Sequence, residues 1–267
     1  MVILASNGRH LLCNINGFAL QPNIISMNKQ TIQPLKSIGV ALILFITIPS
    51  FAQKVINNQN QSWGSFIATA KVYKNFSIGA EVHIRRNNFY GDRSFEFVRG
   101  TIIYNVDDRL SFGAGYGHMW VAAGDNSTTK EENRVFEQVQ YTSKFGRITL
   151  VQKARNEQRW INLYSGKNTF SDRVRLLNTL TIPVFKNKYL PALALADEVC
   201  VQFGTDIVSN TFDQHRWFIG IRQMVSKTLS FDTGYMEVLQ QRTATNYDNN
   251  HTFRFFLYYT PDFRKKK

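Results

Sequence analysis

Lys153, Arg155, Glu157 and Arg159 occupy every second position of one short run. In an extended strand successive side chains alternate between faces, so all four would share one face. Such a row can attract anions, or its guanidinium groups can grip carboxylates in bidentate pairs. It cannot face lipid, and it is poorly suited to an apolar core. A polar lumen accommodates it. The same alternation puts Glu81, His83, Arg85, Arg99, Arg134, Gln138, Arg173, Arg175, Glu198, Arg216, Arg222 and Arg254 on the charged faces of other segments. Basic groups outnumber acidic ones in this set, so two readings stand side by side. One is a neutralising network that fills a narrow interior. The other is a cavity that draws a small anionic solute, such as a phosphate or carboxylate.

Other chemistry has less support. Of His10, His83, His118, His215 and His251, only His118 or His251 near a loop serine, Ser127 or Ser209, suggests a nucleophile beside a base. No G-x-S-x-G accompanies them, and rim histidines in an aromatic belt explain the pattern as well. A lipid-modifying enzyme of phospholipase or acyltransferase type is therefore the alternative function. Cys13, Cys200 and the scattered histidines lack metal-ligand spacing, and no cofactor is implied. Gly113, Gly115, Gly117 and Gly234 mark places where a curved sheet or a bulky neighbour needs room.

The elements that must carry these residues are strands. Candidates run Trp63–Tyr73, Phe76–Arg86, Phe95–Tyr104, Leu110–Trp120, Arg134–Lys144, Ile148–Leu163, Arg173–Ile182, Leu193–Phe203, Gln214–Val225, Leu229–Gln240 and Thr252–Thr260. Most pair an apolar face with a polar one: Phe76, Ile78, Ala80, Val82 and Ile84 oppose Ser77, Gly79, Glu81, His83 and Arg85. An apolar outside and a charged inside are the pattern of a membrane barrel, whereas a secreted sandwich would need polar outer faces. Short turns such as Lys74-Asn75 and Phe145–Arg147 alternate in sequence with longer connections such as Val121–Asn133 and Arg242–Asn250, as at the two rims of such a barrel. The expected fold is a single antiparallel up-and-down transmembrane β-barrel of about ten to twelve strands, spanning residues 63–263. Single-chain bacterial barrels have even strand numbers. Eleven candidates thus imply an extra strand within 53–62, or one candidate outside the wall. The segment Lys54–Gln61 reads as irregular. Gln152, Asn156, Gln158 and Glu137 fall on presumed outer faces, which implies elevation above the hydrocarbon or a bulge.

The front of the chain reads as an address. Met27–Ala52 has Lys29 and Lys36, an apolar run Ile38–Ile48 too short to span a bilayer, and Ser50-Phe51-Ala52 before the expected cut. Residues 1–26 read as an upstream extension, 27–52 as a signal peptide, 53–62 as an N-terminal segment and 264–267 as a basic tail. Aromatic content of 13%, with 21 Phe and 11 Tyr, suits an aromatic-girdled barrel. The net charge of +13 raises nucleic-acid binding, but the arginines lie within alternating strand patterns rather than exposed clusters. No nucleic-acid partner is expected.

Several pieces in order carry a resemblance. They are Trp63, the run Glu132–Gln138, the row Arg155, Glu157, Arg159, and Arg173-Val174-Arg175 leading to Ile182-Pro183. Asp197-Glu198-Val199, Phe212–Arg216 and Gly234-Tyr235 complete it. The mature chain resembles the domain-of-unknown-function 2490 family of Gram-negative outer-membrane barrels, over most of residues 60–260. The resemblance implies an outer-membrane location, surrounding outer-membrane lipid and insertion by the barrel-assembly machinery; it brings no catalytic residues. Such barrels commonly end on an aromatic residue, whereas here Phe263 is followed by Arg264 and three lysines.

Overall fold

Residues 54–122, 129–163, 166–207 and 211–264 are described by a computed structural model. The upstream extension, the signal segment, Cys13, His10, Ser127, Ser209 and residues 265–267 lie outside them. Period-2 sequence becomes eleven strands: β1 Val55–Tyr73, β2 Phe76–Asn87, β3 Asp92–Asn105, β4 Leu110–Ala122, β5 Thr129–Phe145 and β6 Ile148–Asn162. They continue as β7 Asn168–Pro183, β8 Ala192–Phe203, β9 Phe212–Met224, β10 Leu229–Gln241 and β11 Asn246–Tyr259. Each strand pairs with its sequence neighbours, and β1 pairs with β11 to close a barrel.

All ten sequential pairs are antiparallel, whereas the closing pair is parallel, running from Val55↔Asn246 to Ala68↔Tyr259. An odd number of alternating strands brings the first and last into the same direction, so closure must be parallel. Neither route to an even count is taken: all eleven candidates are in the wall, and Val55–Ser62 prolongs β1 instead of forming another strand. That segment is not irregular. A ladder satisfies backbone N–H and C=O groups whatever the side chains are, and here Asn57–Gln59 lie beside Asp248–Asn250.

The same reason corrects the loop lengths. At the lower rim the strands are joined by 74–75, 106–109, 146–147, 184–191 and 225–228; at the upper rim by 88–91, 123–128, 163–167, 204–211 and 242–245. Most of the expected long connections are shortened because β3, β5, β7 and β11 begin inside them. The asymmetry lies in strand overhang more than in loops. β1 starts at the upper rim and β11 ends at the lower one.

Outward faces are apolar and open. Phe76, Ile78, Val82 and Ile84 on β2 are exposed, while Ser77, Gly79 and His83 between them are buried. Phe66, Val82 and Val98 are direct cross-strand partners on the outer wall. Aromatic rings gather near both ends of the strands, as in Phe76–Tyr104 below and Trp160–Phe170 above, each pair 5.3 Å apart. One outer row breaks the pattern: Gln152, Asn178 and Asp197 are direct partners, flanked by Leu150–Leu180–Leu195 and by Ala154–Leu176–Val199. Gln152 Nε2 donates to Asn178 Oδ1 at 3.1 Å, and His215 Nε2 to Asp197 Oδ1 at 2.7 Å. Glu137 needs no bulge; it accepts from Gln158 Nε2 on the neighbouring strand.

Inside, β4 supplies the room that bulky neighbours need. A Cβ at Gly115 would collide with the Gly100 carbonyl and come 2.5 Å from Phe136 Cζ; one at Gly113 would stand 3.1 Å from the Gln138 side chain. These glycines let Phe136 and Gln138 lie flat across the strand. Gly220 and Gly234, directly paired, leave no space for a Cβ on either.

Candidate functional site

Much of the lumen is packed. Trp63, Ala194, Phe218, Met236 and Val238 form an apolar cluster against β1 and β8–β10, with Phe256 and Ala196 around it. Phe136 and Met119 fill the opposite side, each only 1% exposed. Between them runs an ionic network that follows directly from the strand register.

Arg155 on β6 faces Gln138 on β5 and Arg175 on β7; Glu157 faces Phe136 and Arg173. Glu157 is therefore ringed by guanidinium groups. It accepts from Arg173 Nη2 at 2.5 Å, Arg175 Nη1 at 2.8 Å and Arg134 Nη1 at 3.4 Å, with Arg155 Nη1 at 3.6 Å. Each of those arginines has a further partner: Asp213 for Arg173 at 3.0 Å, Glu198 for Arg175 at 2.7 Å, Glu132 for Arg134 at 2.6 Å and Gln138 for Arg155. Glu132 also binds Arg159, and Glu198 also binds Arg216, each at 2.6 Å. A second centre lies on β9–β11, where Asp232 accepts from Arg222, Arg254 and the Tyr258 hydroxyl. A third joins Arg99 to Glu81.

Guanidinium planes also lie over rings: Arg85 over Trp63 at 3.6 Å, Arg254 over Phe256 at 4.1 Å and Phe218 at 4.2 Å, and Arg155 over Phe136 at 4.6 Å. Cation–π contacts of this kind contribute about 0.5–2 kcal/mol, more when desolvated. Ionic and aromatic layers thus pack together instead of segregating.

A cavity of about 600 Å³ remains, within the range of small-ligand sites. Of the charged positions expected from the sequence, Glu81, His83, Arg85, Arg99, Arg134, Gln138, Lys153, Arg155, Arg159, Arg173, Arg175, Glu198, Arg216, Arg222 and Arg254 line it. Glu157 lies behind them, buried among its arginines. Towards the lower rim the lining changes to Thr69, Gly79, Thr101, Ile103, Ser111 and Thr179, and most of these are half-buried. Gln202, Gln214, Tyr247, Asn250 and Thr252, towards the upper rim, are buried.

Three cationic side chains in the cavity, Lys130, Lys153 and Arg85, have no carboxylate partner among the described residues. Lys153 makes no hydrogen bond or ion pair among the described residues, and Arg85 donates through Nε to His83 Nε2. His83 accepts at that nitrogen, so its ring proton sits on Nδ1, which is buried without a partner.

A family model described as a protein of unknown function, DUF2490, matches residues 60–249. The chain belongs to this family. No curated protein and no solved structure matches it significantly. The matched DUF2490 span runs from the polar overhang of β1 into β11 and so includes nearly the whole wall, with the Glu157 and Glu81 centres and, of the Asp232 centre, Asp232 and Arg222.

The remaining histidines are on the outer face. His118 Nδ1 lies 2.8 Å from Asn133 Oδ1 and its Nε2 3.9 Å from Glu131; His251 Nδ1 meets the Tyr235 hydroxyl at 2.6 Å. Neither is bonded to a serine or threonine among the described residues. No group of His, Cys, Asp and Glu there is arranged to hold a metal. Asp213, Glu132 and Asp232 were not anticipated as network carboxylates. The first two sit where the sequence reads as connection, and Asp232 shares its face with Gly234, Met236 and Val238, so alternation gave no charged row.

Proposed function

We propose that this DUF2490 chain is a β-barrel of the Gram-negative outer membrane, exported through residues 27–52, which binds a small anionic solute in its lumen and does not conduct freely. The observation that carries the reading is the inversion of the wall. Apolar side chains stand open on the outside, as at Ile102, 65% exposed, while Glu157 and Arg173 are sealed inside. In water such a surface would be an aggregation hazard; against hydrocarbon it is the favourable arrangement. Guanidinium groups tied to carboxylates across β6–β9 narrow the lumen, and the excess of basic groups gives the cavity a positive field.

Expression from the natural export signal, followed by membrane fractionation and planar-bilayer recording, tests this. The protein is expected in the outer-membrane fraction, soluble only with detergent, and without steady single-channel current. A detergent-free soluble protein, or a stable anion current, would refute the reading.

A further inference from the structure

We propose that the lower lumen is a binding site for a dianionic phosphoryl group, held by Lys153 with Arg155 and Arg99, on a compact polar body that enters from the lower rim. This deepens the reading of the lumen as an anion binder and rests on it. Lys153 stands one pleat below Arg155 on β6 and is paired across the sheet with Gln140 and Leu177. Lys153, Arg155, Arg99 and Glu81 all line the same cavity. Glu81 is already engaged by Arg99 Nη2, and the other guanidinium nitrogens of Arg99 have no acceptor among the described residues. Arg155 is not free to swing: Nε and Nη2 both donate to Gln138 Oε1, at 3.1 and 2.6 Å, and its plane rests on Phe136. The site is thus preorganised, with three cationic groups around Glu81, and Glu157 behind Arg155 is shared with three other arginines. That leaves an excess of positive charge, which a dianion matches better than a monocarboxylate does.

The surroundings fix the rest of the ligand. The hydroxyls of Thr69, Thr101, Ser111 and Thr179 and the apolar Ile103 and Leu177 line the way to the lower rim. They suit a short polyol or sugar phosphate. The same phosphoryl chemistry occurs in a soluble ester and in a lipid headgroup, but among the described residues the cavity lining is mainly polar and charged, which suits the soluble ester better than two acyl tails.

The test is calorimetric titration of the folded full-length protein in a non-ionic detergent with glycerol phosphate, and separately with a short-chain phosphatidic acid in the same micelles. Saturable binding of glycerol phosphate is expected, weakened at least about tenfold by Lys153→Gln. Lys153→Arg should keep binding within about threefold, and Arg86→Gln, at the rim, should leave it unchanged. Tighter binding of the phosphatidic acid, lost with Lys153→Gln, would assign the site to a lipid headgroup and overturn the soluble ligand. No saturable binding by a folded protein at up to about 10 mM ligand, or equal binding by wild type and Lys153→Gln, would overturn the site itself. A barrel that is membrane-bound and non-conducting but silent here defeats this inference alone; a conducting one defeats the reading beneath it.

Discussion

Replacing Glu157 by Gln removes one negative charge from the centre of four guanidinium groups without changing its shape. Hydrogen bonds to charged groups contribute about 1.5–3 kcal/mol each, so a simple sum over Arg173, Arg175 and Arg134 would be too large. It overcounts because Asp213, Glu198 and Glu132 continue to hold those arginines. What is lost is the balance of charge at a carboxylate only 1% exposed, and the new amide would point donors at a donor on Arg173 or Arg175. Removing one member of a buried pair costs about 3–5 kcal/mol; water in the adjoining cavity offsets part of this, which favours the lower end, about 3 kcal/mol. That is about two orders of magnitude in the folding equilibrium. Urea unfolding in lipid vesicles, followed by tryptophan fluorescence, measures it, with Glu96→Gln as the comparison. Glu96 pairs with Arg86 at the rim with side chains 28% and 27% exposed, and its loss should cost about 0–1 kcal/mol. Adding Arg173→Gln to the Glu157 variant should cost less than it does in the wild type, because it removes a cation left in excess. A midpoint for Glu157→Gln no lower than that for Glu96→Gln, or strict additivity of the double variant, would refute the network account.

Three further outcomes are expected. Val98→Arg, half-way along β3 on the open outer face, should destabilise the barrel by about 2–4 kcal/mol and lower its yield in membranes; an unchanged protein would mean that this face meets water. Gly115→Ala should lower stability by about 1–3 kcal/mol because its Cβ would meet Phe136 and the Gly100 carbonyl, while Gly64→Ala, with open space around it, should be tolerated; equal denaturation midpoints would count against the close packing of β4. The Asp107 carboxylate accepts the backbone N–H groups of Leu110 and Arg109, both at 2.7 Å, which holds its pKa below the usual range. Its support of the turn is therefore present above about pH 4 and lost as pH falls through the lowered value, so the Leu110 amide shift should titrate with a midpoint below about 4 and stop titrating in Asp107→Asn.

The parts of the fold legible in the sequence are those where one face repeats at period 2. β2 could be read because Phe76, Ile78, Val82 and Ile84 alternate with polar residues. The row Lys153–Arg159 could be placed on one face for the same reason. The overhangs could not be read. Asn57–Gln61 and Asp248–Asn250 are polar throughout, and nothing in their side chains distinguishes a paired backbone from a loop. Nor could the pairing inside the lumen. That Glu157 meets Arg173 and Glu198 meets Arg216 depends on register between strands, which no single strand encodes. The inward rings of Trp63, Phe97, Phe136 and Phe218 follow the parity of their strands but interrupt otherwise polar faces, and they decide how much of the lumen is filled.

The parallel closure of β1 on β11 gives the wall an odd number of crossings. If the wall spans a bilayer, Val55 and Tyr259 emerge into different compartments, and the molecule is threaded through the membrane instead of looped back on one side. A peptide tag joined ahead of Val55 and one joined after Phe263 would then be reached by antibody from opposite directions, and assembly would have to carry the leading edge of β1 across before the last strand could dock beside it.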